Sequence, residues 1–187
     1  MGGSFNPVHA GHLMLADYLV QFGGLDEVWL MLSPLNPLKA DQDAPTDDSH
    51  RMEMLRIATR HTPHVGVTDI ELSLPRPSYS CTSLRALRER YPECRFSLVI
   101  GSDNWLCFDR WRNHREIIAE FTPVIYPRPG YPVDPATLPD GVTIVDAPVF
   151  EISSTFIRSA IAEGHDMTNF LPPGVYEYIC AESLYKR

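Results

Sequence analysis

The sequence predicts an α/β fold, a doubly wound parallel sheet with helices on both faces, as a single domain over residues 1–187. Short apolar runs alternate along the chain with longer stretches of helical spacing, the pattern of parallel strands joined by crossover helices. A length of 187 residues leaves no room for a second full core. Neither an internal repeat nor a linker divides the chain.

The elements follow in order. Residues from Gly11 to about Gln21 carry Leu13, Leu15, Ala16, Leu19 and Val20 at mostly helical spacing and stop at Gly23-Gly24, a helix with a glycine stop. Residues 27–32 (EVWLML) are a strand, and the polar, proline-bearing segment 33–49 reads as a long loop of the kind that often carries function. Ser49 is placed to cap a helix over 50–61. Residues 65–70 read as a strand, and the turn-rich LPRPS leads into a helix over 82–90. The run 96–100 (FSLVI) is the most strand-like and ends at Gly101, and 110–121 is helical. Two further strands, 124–126 and 142–145, flank a surface excursion marked by five prolines between Pro127 and Pro139. The last two helices begin near Ser154 and Pro173. In such a sheet, ligands bind beyond the carboxyl ends of the strands.

Composition narrows the function. Sixteen basic against 24 acidic side chains give a net charge of −8, which argues against nucleic acid or an anionic membrane as partner and requires a local positive site for any polyanion. No apolar stretch is long enough for a membrane span, and the N-terminus, broken by Asn6, Pro7, His9, Gly11 and His12, is no secretory signal. A cytoplasmic enzyme is expected. Cys81, Cys94, Cys107 and Cys180 lack metal-binding or disulfide spacing and read as reduced packing residues.

Two segments carry chemistry. In Gly2-Gly3-Ser4-Phe5-Asn6-Pro7-Val8-His9-Ala10-Gly11-His12, paired glycines let the main chain approach a ligand. The turn then enters a helix whose free N–H groups and positive dipole end attract phosphate. His9 and His12, three residues apart, share a face of that helix start, and a polyphosphate nearby would favour their charged forms. The second segment, Ile152-Ser153-Ser154-Thr155-Phe156-Ile157-Arg158, offers hydroxyls and bare N–H groups at a helix start, with Arg158 placed one turn on to fork onto phosphate. Trp29 and Trp105 read as packing residues, and His50, His61, His64, His114 and His165 as surface residues.

Together the patterns G-x-F-x-P-x-H-x-G-H and S-x-T-x-x-R resemble those of the nucleotidyltransferase superfamily, whose sheet is Rossmann-like. Further segments narrow the likeness: Pro34-Leu35-Asn36-Pro37-Leu38-Lys39, His50-Arg51-Met52, Pro77-Ser78-Tyr79-Ser80, and Gly101-Ser102-Asp103 with Trp111 ten residues after the glycine. Over nearly its whole length the chain is similar to the bacterial nicotinate mononucleotide adenylyltransferase family.

The resemblance implies transfer of AMP from ATP to nicotinate mononucleotide with Mg²⁺, giving deamido-NAD and pyrophosphate in NAD biosynthesis. It places His9, His12 and Arg158 in catalysis, and Gly3, Ser4, Phe5, Gly11, Gly101, Asp103, Ser153 and Thr155 around ATP. Lys39 and Arg51 would add charge at the substrate phosphate, Tyr79 belongs to the pyridine-nucleotide loop, Trp111 would stack on the pyridine ring, and main-chain N–H groups near Ser80 and Arg112 would take its carboxylate. No resident metal site is implied. The nucleophile is already an anionic phosphate, so no general base or covalent intermediate is needed.

Departures from the family pattern are Leu38, Ser102, Thr82 and Met1, the last standing where an apolar strand ordinarily precedes the glycine pair. A further strand of about five to seven residues upstream is therefore expected in the stable protein. Another adenylyl- or cytidylyltransferase of the superfamily, acting on nicotinamide mononucleotide or pantetheine phosphate, stays open, as do a non-catalytic nucleotide sensor and a homo-oligomeric state. A dehydrogenase is excluded for want of a complete G-x-G-x-x-G after a strand.

Overall fold

The computed structural model describes residues 1–34 and 46–186. Among these the order is β1 (Gly2–Gly3), α1 (Ala10–Gln21), β2 (Val28–Leu32), α2 (Asp48–Thr59), β3 (Val65–Thr68), α3 (Ser80–Arg90), β4 (Val99–Gly101), α4 (Ser102–Trp105), α5 (His114–Phe121), β5 (Val124–Tyr126), β6 (Thr143–Ile144), α6 (Ser154–Ala162) and α7 (Val175–Ala181).

Every strand pair is parallel, as crossover connections require. The chain runs outward from β1 through β2 to β3, then starts again at β4 and runs outward through β5 to β6. Where one continuous sheet was expected, the hydrogen-bond ladders of the described residues form two three-stranded sheets. β1 is two residues long and its ladder goes to β2, with Gly2 opposite Met31 and Gly3 opposite Leu32. The Met1 amine donates to the Trp29 carbonyl at 2.8 Å, and burial lowers its pKa to about 5.

Side-chain alternation shows that both faces are covered. In β2, Leu30 and Leu32 enter the largest core with residues of α1, α2, α6 and α7, while Met31 turns the other way to meet Ile70 and Leu87. β4 repeats the division: Val99 joins the large core, and Ile100 packs with Leu84, Phe108, Ile117 and Phe121.

Several boundaries differ from expectation for local reasons. Asp47, rather than Ser49, caps α2, its carboxylate accepting from the Ser49 N–H at 2.8 Å. The helix expected over 110–121 is interrupted: a 3₁₀ turn over Phe108–Arg110 ends at the extended Trp111, and α5 starts only after Asn113, whose φ of 59° is left-handed. α4 was not foreseen, and residues 96–98 lie outside β4. All four cysteines are free, but Cys180 is exposed rather than packed. His50 is half-buried, its Nδ1 2.8 Å from the Tyr178 hydroxyl.

Candidate active site

A cavity of about 1220 Å³ opens between β1 and β4, the strands from which the two halves of the sheet diverge. That is the switch point where doubly wound sheets bind ligands, and the volume exceeds the ~300–1,000 Å³ usual for one drug-sized molecule.

One wall is the β1–α1 turn, supplying Gly3, Ser4, Phe5, His9, Gly11 and His12. The helix starts where Pro7 and an extended His9 (φ −139°) deliver the chain into α1. His12 Nδ1 accepts from the His9 N–H at 3.2 Å, and the two imidazoles stack with centroids 3.7 Å apart. Gly11 makes room for them, since a Cβ there would lie 3.2 Å from His9 Nδ1. Burial, then the charge of Arg128, lowers the His9 pKa to about 4, so the ring is neutral at neutral pH until an anion favours its charged form.

The start of α6 completes this wall with Ser153, Thr155 and Arg158. Ser153 caps the helix, accepting from the Phe156 N–H at 3.2 Å. Ser154 donates its hydroxyl to the Pro7 carbonyl at 2.9 Å, and Arg158 Nη1 donates to the Asn6 carbonyl at 2.7 Å. The two segments expected to bind anions, remote in sequence, are thus bonded to each other.

The opposite wall is aromatic. Tyr79 and Ser80 come from the start of α3, and Trp111 and Arg112 from the turn before α5. The Arg112 guanidinium lies 4.8 Å from the centre of the Tyr79 ring. Trp111 packs against Phe108 at 5.2 Å. Between the walls sit Gly101 and Asp103. A Cβ on Gly101 would fall 2.3 Å from Asp103 Oδ1, so glycine is required for that carboxylate to fold back.

Two expected residues stand apart. Lys39 lies outside the described residues. Arg51, expected to carry charge to a substrate phosphate, is fully buried. Its Nη1 donates to the Ser4 and Ser33 carbonyls at 2.6 and 3.0 Å, its Nε to the Thr46 carbonyl at 2.8 Å, and Nη2 pairs with Asp48. A guanidinium so spent on main-chain oxygens braces the β1–α1 turn from behind.

Other cavity residues escaped sequence reasoning. Arg128 pairs with Asp103 at 3.7 Å and lies over the Tyr126 ring, and its N–H donates to the buried Ser102 hydroxyl at 2.9 Å. Glu71 is a buried carboxylate that accepts from the Ser78 and Ser83 hydroxyls at 3.0 and 2.7 Å, tying the loop before α3 to its first turn. The one available signal was Arg128 two residues after a strand, at the carboxyl end where ligands bind. Among the described lining residues, four arginines (Arg110, Arg112, Arg128, Arg158) face two carboxylates (Glu71, Asp103), a positive patch on an acidic protein.

Comparison with known proteins agrees with this geometry. The cytidylyltransferase-like family matches residues 1–160. A "probable nicotinate-nucleotide adenylyltransferase" of Bacteroides thetaiotaomicron is 54% identical over 177 residues, covering 95% of this chain and 87% of the relative. The chain belongs to the nicotinate-nucleotide adenylyltransferase family. A second relative with the same description, from Bacteroides fragilis, is 49% identical over 181 residues, 97% of this chain and 90% of its own. The Plasmodium falciparum nicotinic acid mononucleotide adenylyltransferase shares the fold at a TM-score of 0.77 and 20% identity, over 98% of this chain and 94% of that one. Family membership accounts for a cavity with two unlike walls, since an adenylyltransferase must hold a triphosphate and an acceptor nucleotide side by side.

Proposed function

We propose that this chain transfers AMP from ATP to nicotinate mononucleotide, releasing pyrophosphate and forming deamido-NAD in NAD biosynthesis. One observation carries the reading. Among the described residues, only two buried side-chain nitrogens lack a hydrogen-bond partner, His9 Nδ1 and Trp111 Nε1, and both belong to residues lining this cavity, one on each wall. Buried polar atoms are rarely left unpaired without a ligand or water to satisfy them. The relatives' descriptions name the same activity, and the Plasmodium falciparum enzyme was captured with NaAD and with APC.

In this reading a phosphate oxygen of the mononucleotide attacks the α-phosphorus of ATP. A P–O bond forms as the bond to the β,γ-pyrophosphate breaks, and no proton need be removed from the nucleophile. His9 and His12 hold the ATP phosphates, with Gly3, Ser4, Phe5 and Gly11 shaping the turn around them. Ser153, Thr155 and Arg158 neutralise charge growing on the leaving pyrophosphate. Gly101 and Asp103 meet the adenosine ribose, Trp111 stacks on the pyridine beside Tyr79, and main-chain N–H groups near Ser80 and Arg112 take its carboxylate. Rate then comes from placing two phosphates in line and offsetting the charge that develops.

No group of three or more His, Cys, Asp or Glu gathers among the described residues to cage a metal. The cavity's donors fit Mg²⁺ carried on the triphosphate, where the ion would screen charge. No helix among the described residues is long and apolar enough to cross a membrane. We place the enzyme in the cytoplasm, as one nucleotidyltransferase domain over residues 1–187.

The test is pyrophosphate release from ATP with nicotinate or nicotinamide mononucleotide, side by side. Faster release with the acid, together with deamido-NAD as product, is expected. Release with the amide alone reassigns the acceptor, and ATP binding without release from either makes the chain a nucleotide sensor.

A further inference from the structure

The family match ends at residue 160, yet the chain beyond it returns to the phosphate wall. After α7, Ser183 and Tyr185 both take positive φ, 54° and 61°, and the Leu184 N–H donates to the Ile179 carbonyl at 3.0 Å. This turn lays the half-buried Tyr185 against the β1–α1 turn, where its hydroxyl donates to Asn6 Oδ1 at 2.8 Å. The same hydroxyl bonds the Thr46 side chain, and burial pushes its pKa up to about 12, so it remains a proton donor at any working pH.

The consequence lies in how the turn over residues 4–7 is held. Arg51 takes the Ser4 carbonyl, Arg158 the Asn6 carbonyl and Ser154 the Pro7 carbonyl. Each of these fixes main chain. The Tyr185 hydroxyl instead fixes a side chain, that of Asn6, which lines the cavity. An amide has an acceptor end and a donor end, and a polyphosphate is repelled by the first and held by the second. With Oδ1 occupied by the tyrosine hydroxyl, the donor end is the one left for the ligand.

We propose that Tyr185 is a positioning residue for adenylyl transfer, its hydroxyl turning the Asn6 amide so that the NH₂ group serves the ATP phosphates. This rests on the cavity binding ATP as proposed above.

The test uses the full chain and Tyr185→Phe, which keeps the ring and its packing. Loss of one neutral hydrogen bond corresponds to a fall of roughly 5–10-fold in kcat/KM for ATP. KM for the mononucleotide should hold within about twofold, and the melting temperature should fall by no more than about 4 °C. Asn6→Ala should cause a similar fall, and the double variant should lose little more than either alone. Unchanged kcat/KM for ATP in Tyr185→Phe, or equal losses for both substrates, overturns the proposal. Should the wild-type chain transfer nothing, the same variants are read by calorimetry. ATP binding weakened by a similar factor then supports the tyrosine's role, and unchanged binding overturns it.

Discussion

The two walls of the cavity are built on different principles. The wall proposed to hold the phosphates is fixed through its main chain: the Ser4, Asn6 and Pro7 carbonyls of the β1–α1 turn accept from Arg51, Arg158 and Ser154, on elements far away in sequence. The opposite wall is held by ring contacts, Arg112 over Tyr79 and Trp111 against Phe108, with Glu71 gathering two serine hydroxyls behind it. Phosphates are recognised by charge and donors at set distances, and small displacements there are costly. A flat ring is recognised by contact area, which tolerates adjustment. Main-chain hydrogen bonds thus hold the wall proposed for phosphates, and ring packing the wall proposed for the pyridine.

This contrast breaks most severely at Arg51. Arg51→Met would leave the Ser4, Ser33 and Thr46 carbonyls without their cation and Asp48 with Arg76 alone. The expected loss is about 3–5 kcal/mol of stability, seen as a lowered urea midpoint at unchanged slope. A midpoint near wild type would mean that the turn does not depend on this brace. Next is His12→Ala, which should lower kcat by about 10²–10³, the size of losing one donor to transition-state charge, with a much smaller change in melting temperature. Turnover close to wild type would remove His12 from catalysis. The smallest effect belongs to the aromatic wall. Trp111→Ala should raise KM for the mononucleotide by about 10-fold, within the ~1–3 kcal/mol of a base–aromatic stack, while KM for ATP moves little. A larger effect on ATP than on the mononucleotide would erase the distinction between the walls.

Legibility in the sequence followed the same division. The β1–α1 turn and the start of α6 could be read because local patterns, glycines before a helix and hydroxyls at a cap, determine where N–H groups point. The short apolar run EVWLML predicted a strand by its length, and both of its faces are packed as a central strand requires. Arg51 was misplaced because a charged residue's burial depends on carbonyls supplied by other elements, which no local pattern records. Arg128 and Tyr185 meet their partners only after the sheet has formed, so their roles were invisible in order of sequence. The interruption before α5 went unseen because the flanking residues keep helical composition across it.

Gly101 shows how closely shape and charge are coupled here. Asp103 folds back over the space a side chain would fill, and from there it balances Arg128, whose charge in turn opposes protonation of His9. A single methyl group at position 101 would push the carboxylate off Arg128, leaving a less balanced cation to act on the imidazole. The glycine therefore ties shape to charge: a hydrogen in place of a carbon at the end of β4 lets a carboxylate temper the cation that, after burial, does most to hold the His9 ring neutral.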